Sequence, residues 1–253
     1  MVYELTDTAK AATLFEGWEE TLIWGCLQKV MGKIYVTDSE TPRSAMAFVG
    51  CFAFYAGVPD KELVLNKPAG FVIMTPQNEA WGACIEECFP KAEKETRYAI
   101  KKGTKFDKDR LKSFVDKLPE GYELKAIDGE LYDQCLADPM TTDFVSCFGS
   151  KEKFLGLGRG MVILKEGRIV AGASSYTRYQ EGIELEVDTA EDERRNGLAT
   201  AVCAALILRS LDEGLYPSWD AQNMMSVRLA EKLGYEFDCE YTVYEVSDDT
   251  GYE

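Results

Sequence analysis

One block of this sequence restricts the fold more than any other. From Gly182 to Thr189, Ile183, Leu185 and Val187 alternate with Glu184, Glu186 and Asp188. A period of two is that of a β-strand. A polar turn follows, and then Leu198, Val202, Ala205, Leu206 and Arg209 recur at helical spacing. Gly214 is placed to end that helix in the left-handed conformation. Pro217 to Ala221 reads as another short strand. Asn223 can cap a helix that runs to Leu233 and ends at Gly234, and Tyr235 to Val246 closes the chain as a strand.

Upstream of this block the pattern gives a strand at Leu124 to Ala126, a helix from Asp128 to Asp138, and a helix and loop from Asp143 to Gly158. A hairpin follows, with Met161 to Lys165 and Ile169 to Thr177 joined through Glu166-Gly167. The order is strand, helix, helix, hairpin, strand, turn, helix, strand, helix, strand. This is an α/β fold: a mixed sheet with helices on both sides.

The first half is also mixed but carries no chemical constellation. It reads as helical from Asp7 to Met31, then as strands at Lys33 to Val36, Ala45 to Tyr55 and Gly70 to Met74. An amphipathic helix from Asn78 to Phe89 follows, and Asp107 to Leu118 looks helical. The breaker Leu118-Pro119-Glu120-Gly121 sets a boundary, with a smaller α/β domain at 1–118 and a second domain at 119–253. Arg97, Lys101, Lys102 and Lys105 read as a solvated face rather than a phosphate site.

Composition narrows the chemistry. The 253 residues include no histidine, which removes Ser-His-Asp and Cys-His machinery. Proton transfer falls to Glu, Asp, Tyr, Cys, Lys or water. Eight cysteines form no CxxC pair, so no metal site is expected. They read as buried reduced thiols of a cytoplasmic protein. A net charge of −16 argues against nucleic acid or an anionic membrane as partner and suits an amine-bearing substrate. No apolar run approaches the length of a membrane span, and Met1 to Thr13 lacks the pattern of a secretory signal.

The turn between strand and helix carries the chemistry. A helix start presents amide N–H groups without intrahelical partners, at the positive end of the helix dipole. An anionic pyrophosphate can bind there. Gly197 lets phosphate approach the backbone, Ala199 is small for a related reason, and Arg194 and Arg195 add charge. The run is neither a P-loop nor a GxGxxG fingerprint. Glu186, and after it Glu184, are the candidate general bases for deprotonating an amine.

These residues resemble the GNAT acetyltransferases, whose signature Q/R-x-x-G-x-G/A appears here as Arg194, Gly197 and Ala199. The likeness is greatest to the subgroup that includes the zwittermicin-resistance acetyltransferase. It rests on Glu186 to Thr189, Arg194 to Ala199, Pro217 to Asn223 and Leu229 to Tyr235, and covers roughly residues 120–246. The resemblance implies a C-terminal acyl-CoA N-acyltransferase fold and acetyl-CoA as co-substrate. Val187, Asp188 and Thr189 would pair with the pantetheine arm. Arg194, Arg195, Asn196, Gly197, Leu198, Ala199 and Thr200 would hold the pyrophosphate, and Asn223 and Ser226 would lie near the coenzyme arm. Acetyl would pass directly to a primary amine, probed first among small molecules. Many relatives place a tyrosine acid where this chain has Ala230, so the alternatives are Ser226 acting through water and no dedicated acid, a CoA thiolate being a tolerable leaving group. A weakly catalytic acyl-CoA sensor or an interaction module is the alternative. The first half would suit a degenerate second copy of the fold, and a homodimer stays open.

Overall fold

The computed structural model describes residues 1–248. In chain order its elements are β1 (Tyr3–Glu4), a 3-10 helix (Thr8–Phe15), α1 (Thr21–Leu27), β2 (Lys33–Val36), β3 (Ser44–Val49), β4 (Phe52–Gly57), α2 (Lys61–Leu65), β5 (Val72–Pro76), α3 (Glu79–Cys88) and β6 (Glu93–Ile100). Then come α4 (Lys108–Val115), β7 (Tyr122–Ala126), α5 (Gly129–Ala137), α6 (Asp143–Ser146), α7 (Lys151–Leu157), β8 (Gly160–Lys165), β9 (Arg168–Tyr179) and β10 (Gly182–Thr189). A 3-10 turn (Glu191–Glu193) leads to α8 (Leu198–Asp212), β11 (Tyr216–Ser218), β12 (Asp220–Ala221), α9 (Met224–Leu233) and β13 (Phe237–Val246).

The chain forms two compact units. One comprises Met1–Arg97 with the segment from Glu240 onward, and the other Tyr98–Cys239. The sequence places its boundary at 118–119; by compactness the chain divides instead between Arg97 and Tyr98, and again before Glu240. The reason lies in α4, whose Leu111 is fully buried in the same core as Ile163, Val202 and Val227. The Pro119–Gly121 breaker is therefore a loop within the second unit.

In the first unit β2, β3 and β4 form an antiparallel meander, β5 lies parallel to β4, and the end of β13 lies antiparallel to β5, with Tyr244 opposite Met74. The long helical pattern from Asp7 is interrupted. Gly17 takes φ +78°, and the Glu20 carboxylate caps α1 by accepting the Leu22 amide at 3.1 Å. The strand-like run Ala45 to Tyr55 becomes a tight hairpin, because Gly50 takes φ +60°. Trp81, Met74 and Tyr55 fill the core against Leu63 and Tyr244.

In the second unit β7, β8, β9 and β10 are antiparallel neighbours, and β11 lies parallel to β10. Helix α8 packs Val202, Leu206 and Ile207 on the sheet residues Ile163, Val170 and Ile183. Apolar burial of this kind stabilises by about 25 cal/mol per Å². It explains why the helix is almost wholly apolar on its buried side. Gly214 (φ +73°) ends α8 and Gly234 (φ +112°) ends α9, as their sequence positions indicate.

Candidate active site

Strand β10 begins as a shared element and ends as an open one. Ile183, Leu185 and Val187 all belong to the core of the second unit, which turns Glu184 and Glu186 the other way. Opposite β10, strand β9 contributes one extra residue: Glu184 pairs with Thr177, but Leu185 pairs with Ser175. Tyr176 is thus a bulge, a feature that bends a strand and increases its twist. On the other side, β11 pairs with β10 only from Gly182 to Glu184. Beyond Trp219 the chain leaves β10, and Asp220 and Ala221 pair with Ala99 and Tyr98 of β6. The sequence reads Pro217 to Ala221 as one strand; the structure divides it between two neighbours, with Trp219 buried at the division. From Leu185 to Thr189, β10 therefore has no β11 partner among the described residues. Extended backbone on that edge is open to a chain-like ligand.

The turn after β10 is held from below. The carboxylate of Glu193, 6% exposed, accepts from the Tyr122 hydroxyl at 2.6 Å, Lys165 Nζ at 2.6 Å and Asn196 Nδ2 at 3.1 Å. Lys165 first, and then Tyr122, hold this carboxyl below the usual carboxylate range. Arg194 donates from Nε to the Thr189 carbonyl at 3.2 Å, tying the strand end to the turn, and its Nη1 lies 3.7 Å from Glu191. Arg195 adopts φ +69°, the left-handed region that costs a side-chain-bearing residue about 1–2 kcal/mol. Gly197 follows at φ +78° and ψ +4° as the N-cap of α8.

No side chain caps α8. Its first intrahelical bond runs from Ala201 N–H to the Gly197 carbonyl at 3.1 Å, so the amides of Leu198, Ala199 and Thr200 precede the ladder. A Cβ added at Gly197 would meet nothing within 4 Å. Thr189 buries its hydroxyl beside this turn with no hydrogen-bond partner among the described residues. Open strand edge, uncapped helix start, open glycine and unmatched hydroxyl lie together, and they fit an extended ligand with a phosphate.

Other residues of the second unit sit as follows. Glu184 is buried at 4% exposure near Tyr179 and Tyr235. Both phenols are raised, chiefly by burial, and the Glu184 charge adds to each shift. Glu186 is half-buried on the open stretch of β10, and Asp188 accepts the Thr189 amide at 2.6 Å. Asn223 uses its side-chain oxygen to cap α9, accepting the amides of Met225 and Ser226 at 3.0 Å each. Ser226 accepts from Trp219 Nε1 at 3.0 Å, which leaves its own proton to donate. Ala230 is fully buried, and the Tyr235 hydroxyl donates to the Pro217 carbonyl at 2.6 Å. Tyr235 is a core residue. Ser174 and Ser175 are buried too, bonded to the Phe144 carbonyl and the Arg159 amide. Lys101 and Lys105 are exposed; Lys101 pairs with Glu236, and Lys102 donates to Ser218 Oγ at 2.8 Å. Glu193 escapes sequence reading altogether, since one acid in an acidic turn has no distinguishing pattern. Among the described residues no group of three metal-ligating side chains occurs, and no helix is long and apolar enough to cross a membrane.

A mixed sheet whose parallel strand pair opens beside an uncapped helix defines an acyltransferase-like architecture. A family model for GNAT acetyltransferases matches residues 12–244, and the chain belongs to that family of N-acetyltransferases. It is similar to a GCN5-related N-acetyltransferase-like protein of Streptococcus suis 89/1591, at 48% identity over 94% of this chain and 98% of that one, with a TM-score of 0.90. It is 31% identical over 129 residues to the uncharacterized N-acetyltransferase YdfB of Bacillus subtilis, covering 50% of this chain. The chain spans about half the length of that curated relative, 49%. A tandem GNAT protein from the clavulanic acid biosynthesis pathway shares the fold over the full length of both chains, at 11% identity and a TM-score of 0.58.

Proposed function

We propose that this chain transfers acetyl from acetyl-CoA to a primary amine of a small molecule. The observation that carries the reading is the opening of β10 beyond Glu184 next to the uncapped start of α8. The pantetheine arm would pair with Val187–Thr189, and the pyrophosphate would take the amides at the start of α8. The amine nitrogen attacks the thioester carbonyl, the C–N bond forms and the C–S bond breaks. The amine proton passes to Glu186, or to Glu184 through water, and the thiolate leaves as CoA, protonated from Ser226 or solvent. Positioning contributes more than proton transfer, because no tyrosine acid stands at Ala230. Within the family we favour the zwittermicin-resistance subgroup. The first unit is a degenerate copy of the fold, and a chain with eight cysteines and no CxxC pair suits the reducing cytoplasm.

The test is thiol release from acetyl-CoA against a panel of amines, with Glu186→Gln and Glu184→Gln beside the wild type. Turnover that falls about 10²-fold or more in Glu186→Gln, without loss of acetyl-CoA binding, supports the assignment of the base. The buried alanine at 230 favours one second reading, an acyl-CoA sensor. Tight acetyl-CoA binding with no turnover on any amine would establish that reading instead.

A further inference from the structure

Beside the uncapped start of α8 lies a pocket of about 160 Å³, lined among others by Phe114, Lys117, Asn196, Gly197, Thr200 and Lys232. Three cations surround the Phe114 ring: Lys232 Nζ at 5.5 Å from its centroid, Lys117 Nζ at 5.9 Å and the Arg110 guanidinium at 5.9 Å. Lys232 also donates to Thr200 Oγ1 at 3.1 Å, which fixes the ammonium against the first turn of α8. None of the three has a carboxylate within ion-pair distance among the described residues. Elsewhere in the same unit Lys101, Lys108, Lys125, Lys151 and Lys165 each sit on an acid. In a chain of net charge −16, three clustered cations without acidic partners are conspicuous. Gathering them raises their mutual repulsion, which an aromatic face offsets only in part. An anion would complete the cluster.

We infer that Lys117 and Lys232 bind the 3′-phosphate of the coenzyme and make the site selective for CoA over 3′-dephospho-CoA. The inference rests on the acetyl-CoA reading. A pyrophosphate at Leu198–Thr200 carries its adenosine outward from the helix start, and this pocket is the cationic surface that adjoins Gly197. The ring of Phe114 collects the ammonium groups. Thr200 orients Lys232, and Lys117 approaches from the end of α4. The same cations also counter the field of an acidic protein that would otherwise repel a polyanionic co-substrate.

The experiment is calorimetric titration of CoA, 3′-dephospho-CoA and adenosine 3′,5′-bisphosphate into the wild type and into Lys117→Met and Lys232→Met. Methionine keeps the apolar stem over Phe114 and removes only the charge. The wild type is expected to bind CoA about tenfold or more tighter than 3′-dephospho-CoA, equivalent to roughly 1.4 kcal/mol. It should also bind the bisphosphate. Each variant should lose most of that preference through weaker CoA binding, with 3′-dephospho-CoA unchanged. Equal wild-type affinity for the two coenzymes overturns the inference. So does a variant that weakens both equally, which would assign the lysines to the pyrophosphate or to the fold. Failure of the wild type to bind either coenzyme overturns the acetyl-CoA reading as well, so the two failures are distinguishable.

Discussion

Gly197 and Gly214 form a matched pair at the two ends of α8. Both have left-handed backbone, φ +78° and φ +73°, and a Cβ at either meets nothing within 4 Å. Alanine at each position therefore costs backbone strain without a clash, about 1–2 kcal/mol. At roughly 2–4 °C per kcal/mol for a chain of this size, both variants should melt about 2–8 °C below the wild type and stay folded. Their effects on ligand should differ. At 197 the new methyl group stands where the amides of Leu198–Thr200 would face the proposed phosphate; at 214 it stands at the far end of the helix. Loss of charge-assisted amide contacts, about 1.5–3 kcal/mol, should weaken acetyl-CoA roughly tenfold to a hundredfold in Gly197→Ala. Gly214→Ala should bind as the wild type does. Thermal shift against acetyl-CoA concentration measures both quantities in one assay. Equal affinity in the two variants refutes the cradle assignment, because any change would then follow from stability alone.

Glu193→Gln should loosen the turn that carries Arg195 and Gly197, lowering both melting temperature and acetyl-CoA affinity at pH 7. The carboxyl is held below its ordinary value, so its contribution is complete above about pH 4.3 and is lost as pH falls through the lowered value. The gap between wild type and variant should thus narrow in the acid range of a melting series; a constant gap contradicts the anchoring role. Acetyl-CoA should bind with a stoichiometry of one per chain, and a second site of comparable affinity in calorimetry would contradict the closed state of the first unit described below.

How legible the site was depended on whether its signal was local. Asn223 was readable as a cap and does cap, and Gly214 and Gly234 were readable as helix ends and take positive φ. These features are written within a few residues of chain. The alternation of Gly182–Thr189 gave a strand whose bounds match the structure. Non-local features were hidden. The split at Trp219 depends on Ala99 and Tyr98, over a hundred residues away in sequence, as pairing partners for Asp220 and Ala221. The place of α4 in the second unit depends on Leu111 meeting a core built from α8 and β8. Glu193 was invisible because its partners, Tyr122 and Lys165, come from other strands. Arg195 was read for its charge, while its left-handed backbone has no sequence marker in a non-glycine residue.

Both units pass from a strand through helical segments to three strands, a helix, a strand, a helix and a strand; the second places three helices, α5, α6 and α7, where the first has two helical segments, and adds α4, a 3-10 turn and β12. They differ where a coenzyme would enter. In the second unit the parallel pair β10–β11 ends at Glu184 and the helix after it is uncapped. In the first, β4 and β5 pair from Phe52–Tyr55 to Ile73–Pro76, and Gln77 N–H continues the ladder to the Tyr55 carbonyl at 3.0 Å. The Gly57 amide then donates to Gln77 Oε1 at 3.0 Å, and its carbonyl accepts the Trp81 indole at 2.9 Å. Side chains satisfy the strand end that a pantetheine arm would need. Helix α2 begins on Asp60, whose carboxylate accepts the Glu62 amide at 2.9 Å and brings negative charge to the anion-binding end of a five-residue helix. A similar chain order thus yields one open strand and one sealed one. Gln77 and Trp81 close the strand end of the first unit, and Asp60 sets a carboxylate at the helix start that follows it.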